Sequence, residues 1–258
     1  MSHARAVISE SQAAALALEL YGVQGAATEL NGELDRNFCI RTEDGRYVLK
    51  VVRHAMASDL LDLWVRVLAH LGADRMSVPV VVPTTAGESW GKVTAEDGRE
   101  HMVWLTTWVD GIPLVECSER PLEWMHQLGA CLGRIQVSIR SFDHPALERN
   151  FEWDLRVGED VCRRHLHQIQ NPEDRQVIRE SLAGIGVVLD SVGEVLRVGP
   201  VHGDANDHNW IIQPDNSAAP ISGLIDIGDT GRSWVLGDVA IACGYAMLNQ
   251  SDPVAVAA

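Results

Sequence analysis

The periodicity of the chain changes character near residue 108. Before it, apolar residues fall in short runs, Ala26 to Leu30, Asn37 to Thr42 and Tyr47 to Val52, which read as strands. The last two are joined by Glu43-Asp44-Gly45-Arg46, and Asp-Gly between apolar runs marks a hairpin. Leu60, Leu61, Trp64, Val67, Leu68 and Leu71 then recur at helical spacing until Gly72. Two more strands are predicted over Ser89 to Thr94 and His101 to Trp108, connected through Asp97-Gly98. The result is a small, mostly antiparallel sheet with one helix. A lead-in helix, capped by Ser9 and stopped by Gly22, precedes it.

After residue 108 the texture turns helical, over about 121–139, 155–169 and 173–196, interrupted by Phe142-Asp143-His144-Pro145. Short strands with polar ends follow at Val198 to His202, Trp210 to Gln213 and Ile221 to Ile227, then a helix from Val235 to Leu248. The expected architecture is therefore α+β with two lobes, 1–108 and 109–258, which 258 residues suffice to build.

Thirty-six acids against 21 bases give a formal charge of −15, which excludes a duplex-binding role that needs a basic face. No segment approaches the ~18 consecutive apolar residues of a membrane span. The five cysteines are widely spaced and form no C-x-x-C, as expected for reduced thiols in a reducing compartment. These features predict a cytoplasmic protein with neither nucleic acid nor membrane as partner. Only Lys50 and Lys92 among the basic residues are lysines.

The residues best suited to chemistry lie in His202-Gly203-Asp204-Ala205-Asn206-Asp207-His208-Asn209 and in Leu224-Ile225-Asp226-Ile227-Gly228-Asp229. A loop carboxylate, a carboxamide five positions later and an acid at the end of an apolar strand form the layout of phosphoryl transfer. Asp204 can accept the proton of a substrate hydroxyl, while Asn209 and Asp226 offer hard oxygens for Mg²⁺. Around them, His202 is expected to hold the loop through backbone hydrogen bonds, Asn206 to shape it and His208 to lie on the surface. Asp238 reads as an anchor of the lobe, and Asp229 as a turn cap, a second metal contact or a contact to a substrate amine. A zinc hydrolase built on His202, Asp204 and His208 is the competing reading, but it leaves Lys50 and Asp226 without a task.

The two motifs, His202-Gly203-Asp204-x-Asn206-x-x-Asn209 and Ile225-Asp226-x-Gly228-Asp229, resemble the signature of the aminoglycoside phosphotransferase and choline kinase superfamily. Phe142-Asp143-His144-Pro145, Trp153-Asp154-Leu155 and Asp238-Val239-Ala240-Ile241-Ala242 are similar to the branch holding hydroxylysine kinase-like proteins and phosphotransferase domains fused ahead of class III aminotransferases. The similarity runs from about Leu30 to the chain end. It implies a protein-kinase-like fold and a kinase that moves the γ-phosphate of ATP or GTP, with Mg²⁺, to a hydroxyl of an amine-bearing small molecule. Hydroxylysine, an amino alcohol and an aminoglycoside are acceptors of that class.

The same resemblance assigns Asp204 as catalytic base, Asn209 and Asp226 as metal ligands, and Lys50 of Tyr47-Val48-Leu49-Lys50-Val51-Val52 as the lysine contacting the phosphates. It places the loop Asn31 to Phe38 over the nucleotide. With one glycine in that loop, Arg36 and backbone amides would cradle the phosphates. Thr106 to Gly111 corresponds to the hinge between lobes, where Thr107 and Trp108 would meet the purine. Two departures stand out. Trp64 occupies the helix face where such folds place an acid to orient the lysine, leaving Asp59 or Asp62 as substitutes. The chain also stops at Ala258, so the second lobe is expected to be truncated or to continue in a longer protein, with a fused or separate aminotransferase as partner. The alternative implied by these departures is a nucleotide-binding pseudokinase or a regulatory domain of an aminotransferase fusion.

Overall fold

The computed structural model describes residues 5–257 except 33–34, 54–55, 57, 97, 217, 249 and 251. The chain divides into two compact units, Met1–Gly111 and Ile112–Ala258.

In the first unit α1 (Glu10–Tyr21) begins at Ser9, whose hydroxyl accepts from the Gln12 amide while the Gln12 side chain accepts from the Ser9 amide. This capping box satisfies donors that have no partner inside the helix. The other elements are β1 (Ala26–Leu30), β2 (Arg36–Arg41), β3 (Arg46–Val51), α2 (Ser58–Ala73), β4 (Val81–Val82), β5 (Gly91–Thr94) and β6 (Glu100–Thr107). The strands form one antiparallel sheet in the order β1-β2-β3-β6-β4, with β5 also paired to β6.

Alternation along the strands gives this sheet two faces. On one, Phe38, Ile40, Leu49, Val51, Val103 and Leu105 are buried with Ala13, Leu16, Ala17 and Tyr21 of α1. The helix expected only as a lead-in is thus a layer of the core, and the Tyr21 hydroxyl donates to the Val103 carbonyl at 2.7 Å. The reason is tertiary: the apolar side of α1 covers a sheet face that would otherwise stand in water. On the opposite face, Lys50 lies directly across from Asn37 on one side and Trp104 on the other. There α2 contributes Trp64, which stacks on Trp104 with ring centroids 6.3 Å apart.

The second unit contains β7 (Ile112–Pro113), α3 (Leu122–Ile139), α4 (Gly158–His165), α5 (Pro172–Val192), β8 (Val198–Val201), β9 (Trp210–Ile212), β10 (Ile221–Leu224), β11 (Gly231–Trp234), α6 (Leu236–Met247) and α7 (Pro253–Ala257). Its core helix is α3, which buries Met125, Leu128, Leu132, Ile135 and Ile139 and packs against α6, β8 and β10. Two small antiparallel sheets, β10-β9-β7 and β11-β8, carry the polar loops between them. The helix expected over 155–169 is shorter, because 3-10 turns at Leu155–Val157 and Leu166–Gln168 flank α4. No helix among the described residues is long and apolar enough to cross a membrane.

Candidate active site

The loop from His202 to Asn209 leaves β8 and enters β9, and its start is fixed by one carboxylate. Asp238, buried in the first turn of α6, accepts from the His202 amide at 2.9 Å and from the Gly203 amide at 2.8 Å. Gln136 of α3 also donates to Asp238. Gly203 has φ +86°, and a Cβ there would lie 2.4 Å from the Asp229 carbonyl oxygen, so glycine is required. Both nitrogens of His202 are engaged: Nδ1 accepts from the Asp204 amide at 3.2 Å, and Nε2 lies 3.1 Å from the Ile225 carbonyl. Held at both nitrogens, His202 is a strut of the loop.

Asp204 is half-buried, and both of its oxygens accept from carboxamides: Oδ1 from Asn206 at 2.6 Å and Oδ2 from Asn209 at 2.8 Å. Asn206 in turn accepts from the His208 amide at 2.8 Å. Burial is the largest influence on Asp204 and pushes its carboxyl above the ordinary range. The Asp226 charge adds to that rise, and the carboxamide hydrogen bonds and His202 do not cancel it.

The amide nitrogen of Asn209 donates to both the carboxylate and the carbonyl of Asp204, so its orientation is set. The backbone carbonyl of Asn209 accepts from the Ile225 amide at 2.9 Å, which brings the Asp226 segment alongside. Asp226 follows β10 with φ +60°, a left-handed backbone uncommon outside glycine. The segments that carry Asn209 and Asp226 therefore run side by side.

A buried ion pair fastens the middle of the same loop. Arg120 Nη2 lies 2.6 Å from Asp207 Oδ2, with the two side chains only 10% and 6% exposed. The Asp207 carbonyl also accepts from the Val115 amide at 3.0 Å. Sequence reasoning missed this pair, because an arginine in a linker 87 residues away gives no local signal. Beside the loop lies a small cavity of about 20 Å³ whose lining includes Phe151, Trp153, Asp154, Asp229, Arg232 and Trp234. Burial alone would raise the Asp154 carboxyl, but hydrogen bonds from Arg156 and Ser233 and the Arg156 charge outweigh it and hold Asp154 below the ordinary range. Arg149 donates to the Gly228 carbonyl at 2.9 Å and covers the Phe151 ring at 4.1 Å.

In the first unit, Lys50 lies on β3 with its ammonium 5.8 Å from the centroid of the Trp104 ring. Trp64 is buried against that ring, Asp62 pairs with Arg66 at 2.7 Å, and Asp59 is exposed. Arg36 differs from expectation. It opens β2 rather than sitting in the loop, pairs with Glu29 at 2.6 Å, and donates to the carbonyls of Ala6 and Ile8 at 3.1 and 2.9 Å. Its guanidinium ties the N-terminal segment to the sheet edge instead of facing a loop ligand. Glu33 and Leu34 of that loop, and Asp97 of the Asp-Gly turn, lie outside the described residues. Thr107 exchanges hydrogen bonds with Val80, and the Trp108 amide donates to the Arg46 carbonyl at 3.1 Å. The backbone N–H groups of Thr107 and Trp108 are thus engaged within the first unit. Arg46 covers the Trp108 ring at 4.6 Å and pairs with Asp110.

The sequence model of the phosphotransferase enzyme family (APH) matches residues 27–258. Hydroxylysine kinase from Mus musculus is 22% identical over 276 residues, covering 98% of this chain and 73% of that protein. The Bos taurus hydroxylysine kinase is 26% identical over 274 residues, covering 96% and 72%. Among solved structures, amicoumacin kinase hAmiN in complex with AMP-PNP, Ca²⁺ and Ami superposes with a TM-score of 0.71 at 18% identity, covering 96% of this chain and 75% of that one. A microcompartment-associated aminopropanol kinase gives 0.67 at 22% identity, covering 88% and 71%. The likeness to the solved structures is one of fold: an antiparallel sheet in the N-terminal part and a mainly helical C-terminal part.

Proposed function

The chain belongs to the phosphotransferase enzyme family and is a small-molecule kinase, and from that premise we propose that it transfers the γ-phosphate of ATP or GTP to a hydroxyl of an amine-bearing metabolite. The observation that carries the reading is Asp204: a half-buried carboxylate held at both oxygens by carboxamides, with its basicity raised by burial. In that state it orients an acceptor hydroxyl and takes its proton near neutral pH better than an ordinary carboxylate would. The acceptor oxygen forms a bond to the γ-phosphorus while the bond to the bridging oxygen of the nucleoside diphosphate breaks. The proton passes to Asp204 and then to solvent.

Asn209 and Asp226 fit Mg²⁺, because with the Asn209 nitrogen engaged by Asp204 the pair presents hard oxygens. When bound, the ion would supply charge neutralisation on the phosphates. Lys50 adds a compact ammonium for the α- and β-phosphates. Arg36, held by Glu29 and two carbonyls, has no part in this reading. With their amides engaged, Thr107 and Trp108 would border the purine rather than donate to its edge.

An amine-bearing acceptor is supported by the names of the relatives, hydroxylysine kinase and aminopropanol kinase, whose substrates carry both groups. The test is twofold. Calorimetric titration with AMP-PNP and GMP-PNP in Mg²⁺ should show binding in the wild type and in Asp204→Ala, and binding should be lost in Asp226→Ala. Phosphate transfer to hydroxylysine, aminopropanol or an aminoglycoside should be at least a thousandfold slower in Asp204→Ala. Nucleotide binding with no transfer to any such acceptor would favour the pseudokinase alternative, and wild-type turnover in Asp204→Ala would refute the assigned base.

A further inference from the structure

At the end of α3, beside the start of β8, the second unit holds a cavity of about 180 Å³ whose lining includes Gln136, Arg140, Arg197 and Arg232. The three arginines are its only charged lining residues. In a chain of 36 acids and 21 bases, a cavity lined by three cations and no acid runs against the composition. The arginines come from separate elements: Arg140 caps α3, Arg197 precedes β8, and Arg232 lies in β11 across from Pro200. Arg232 is already paired, with Asp143 at 2.6 Å and Glu148 at 2.5 Å. Arg140 and Arg197 are exposed, and among the described residues no carboxylate pairs with either guanidinium. One cation suffices to oppose the partial negative charge at the C-terminus of α3, and Arg140 provides it. Arg197 lies outside that helix, and its charge adds repulsion that an anion between the guanidiniums would turn into attraction.

We propose that this cavity is a binding site for a phosphate dianion, taken as inorganic phosphate or as the phosphate group of a small monoester. Each guanidinium offers a planar fork of N–H donors that matches phosphate oxygens, and the two without carboxylate partners match the two negative charges. The volume is below the roughly 300–1,000 Å³ of pockets that enclose drug-sized ligands, which suits a phosphate group better than a nucleotide. The site uses neither Lys50 nor Asp226, so it stands apart from the kinase reading. It also adjoins the support of the catalytic loop. Gln136, which lines the cavity, donates to Asp238, and Asp238 accepts from the amides of His202 and Gly203. Strand β8 leads from Val198 at the cavity directly into His202. An occupant therefore stands one side chain away from the anchor of the loop, and its binding should slow the local opening of those amides.

The test is calorimetric titration of the full chain with inorganic phosphate and, separately, with glycerol 3-phosphate, without Mg²⁺ and at constant ionic strength. At least one of the two should bind, to wild type and to Lys50→Met alike, and the tighter one identifies the source as the free ion or an ester. Arg140→Met and Arg197→Met should each weaken binding about tenfold, and the double variant should show none. Both side chains are exposed, so the variants should keep the wild-type fold. Hydrogen exchange on the wild type supplies a readout that needs no variant: phosphate should add protection at the end of α3, along β8 and at the amides of His202 and Gly203. No binding of either anion by folded wild type, affinity unchanged in the double variant, or loss of binding in Lys50→Met would each overturn the proposal. Protection confined to other elements, or the same protection from sodium chloride, would overturn it as well.

Discussion

One methyl group on Gly203 should displace the loop on which the proposed chemistry depends. The residue has φ +86°, where an alanine costs about 1–2 kcal/mol relative to glycine. Its Cβ would stand 2.4 Å from the Asp229 carbonyl oxygen and 2.9 Å from the carbonyl carbon, and backbone cannot yield as a side-chain tip would. Nor can the strands slide apart, because Val201 is paired with Gly231 just outside the contact. The relief left is a shift of residue 203 that stretches its hydrogen bond to the Asp238 carboxylate, worth roughly 1.5–3 kcal/mol as a charge-assisted bond. Together these give a destabilisation of about 3–5 kcal/mol, read as a fall in melting temperature of about 10 °C. Asp204 follows Gly203 directly, and a displacement of about 1 Å at a positioned catalytic group costs on the order of a hundredfold in kcat. Gly133→Ala is the control: a Cβ there meets nothing within 4 Å in α3, and alanine in a helix interior should stabilise by about 0.5–1 kcal/mol. Thermal unfolding and steady-state phosphotransfer assays on both variants decide the matter. A Gly203→Ala protein that melts and turns over like wild type would refute the steric reasoning.

Two further outcomes follow from the loop's electrostatics. Because burial raises Asp204, the acid limb of kcat/KM should fall with unit slope at a pH above that of an ordinary carboxylate. The same raised value means that Asp204 contributes most to folding stability below the ordinary carboxylate pKa and that this contribution is lost as pH rises through the raised one. A flat profile down to the ordinary range would contradict the assignment of Asp204 as base. Arg120→Met should destabilise the fold by about 3–5 kcal/mol, because it leaves the Asp207 carboxylate buried without its cation. Adding Asp207→Asn should recover much of that loss in urea unfolding, and a single variant as stable as wild type would show that the pair is not the loop's fastening.

The features legible in the sequence are those whose causes are local. Ser9 and Gln12 make the capping box of α1, and Gly22 ends it with a left-handed backbone, as spacing alone requires. The spacing of Asp204, Asn206 and Asn209 likewise encodes contacts that close within six residues. What escaped depends on partners distant in sequence. Arg36 looks like a loop cation until Glu29 and the carbonyls of Ala6 and Ile8 are brought beside it. The two-residue strands β4 and β7 are too short to show periodicity, and only their pairing with β6 and β9 defines them. The backbone of Thr107 and Trp108 likewise looks open to a purine until Val80 and Arg46 are brought beside it.

The loop's construction shows why its energetic liabilities lie where they do. Gly203 and Asp226 both hold left-handed backbones, conformations that a chain free to relax would avoid. Asp204 sits at a depth that disfavours its own ionisation. The loop is held by three groups outside it: Asp238 at Gly203, the amide of Ile225 at Asn209, and Arg120 at Asp207. Those anchors come from α6, from the segment after β10 and from the stretch before α3. The loop is thus determined from three directions, and the strain is tolerated because no single relaxation releases it. A carboxylate free to move would find water and return to its ordinary basicity. The rigidity that costs stability is therefore the same feature that keeps Asp204 basic and Asn209 aimed, and substitutions that loosen any anchor should lower kcat before they unfold the chain.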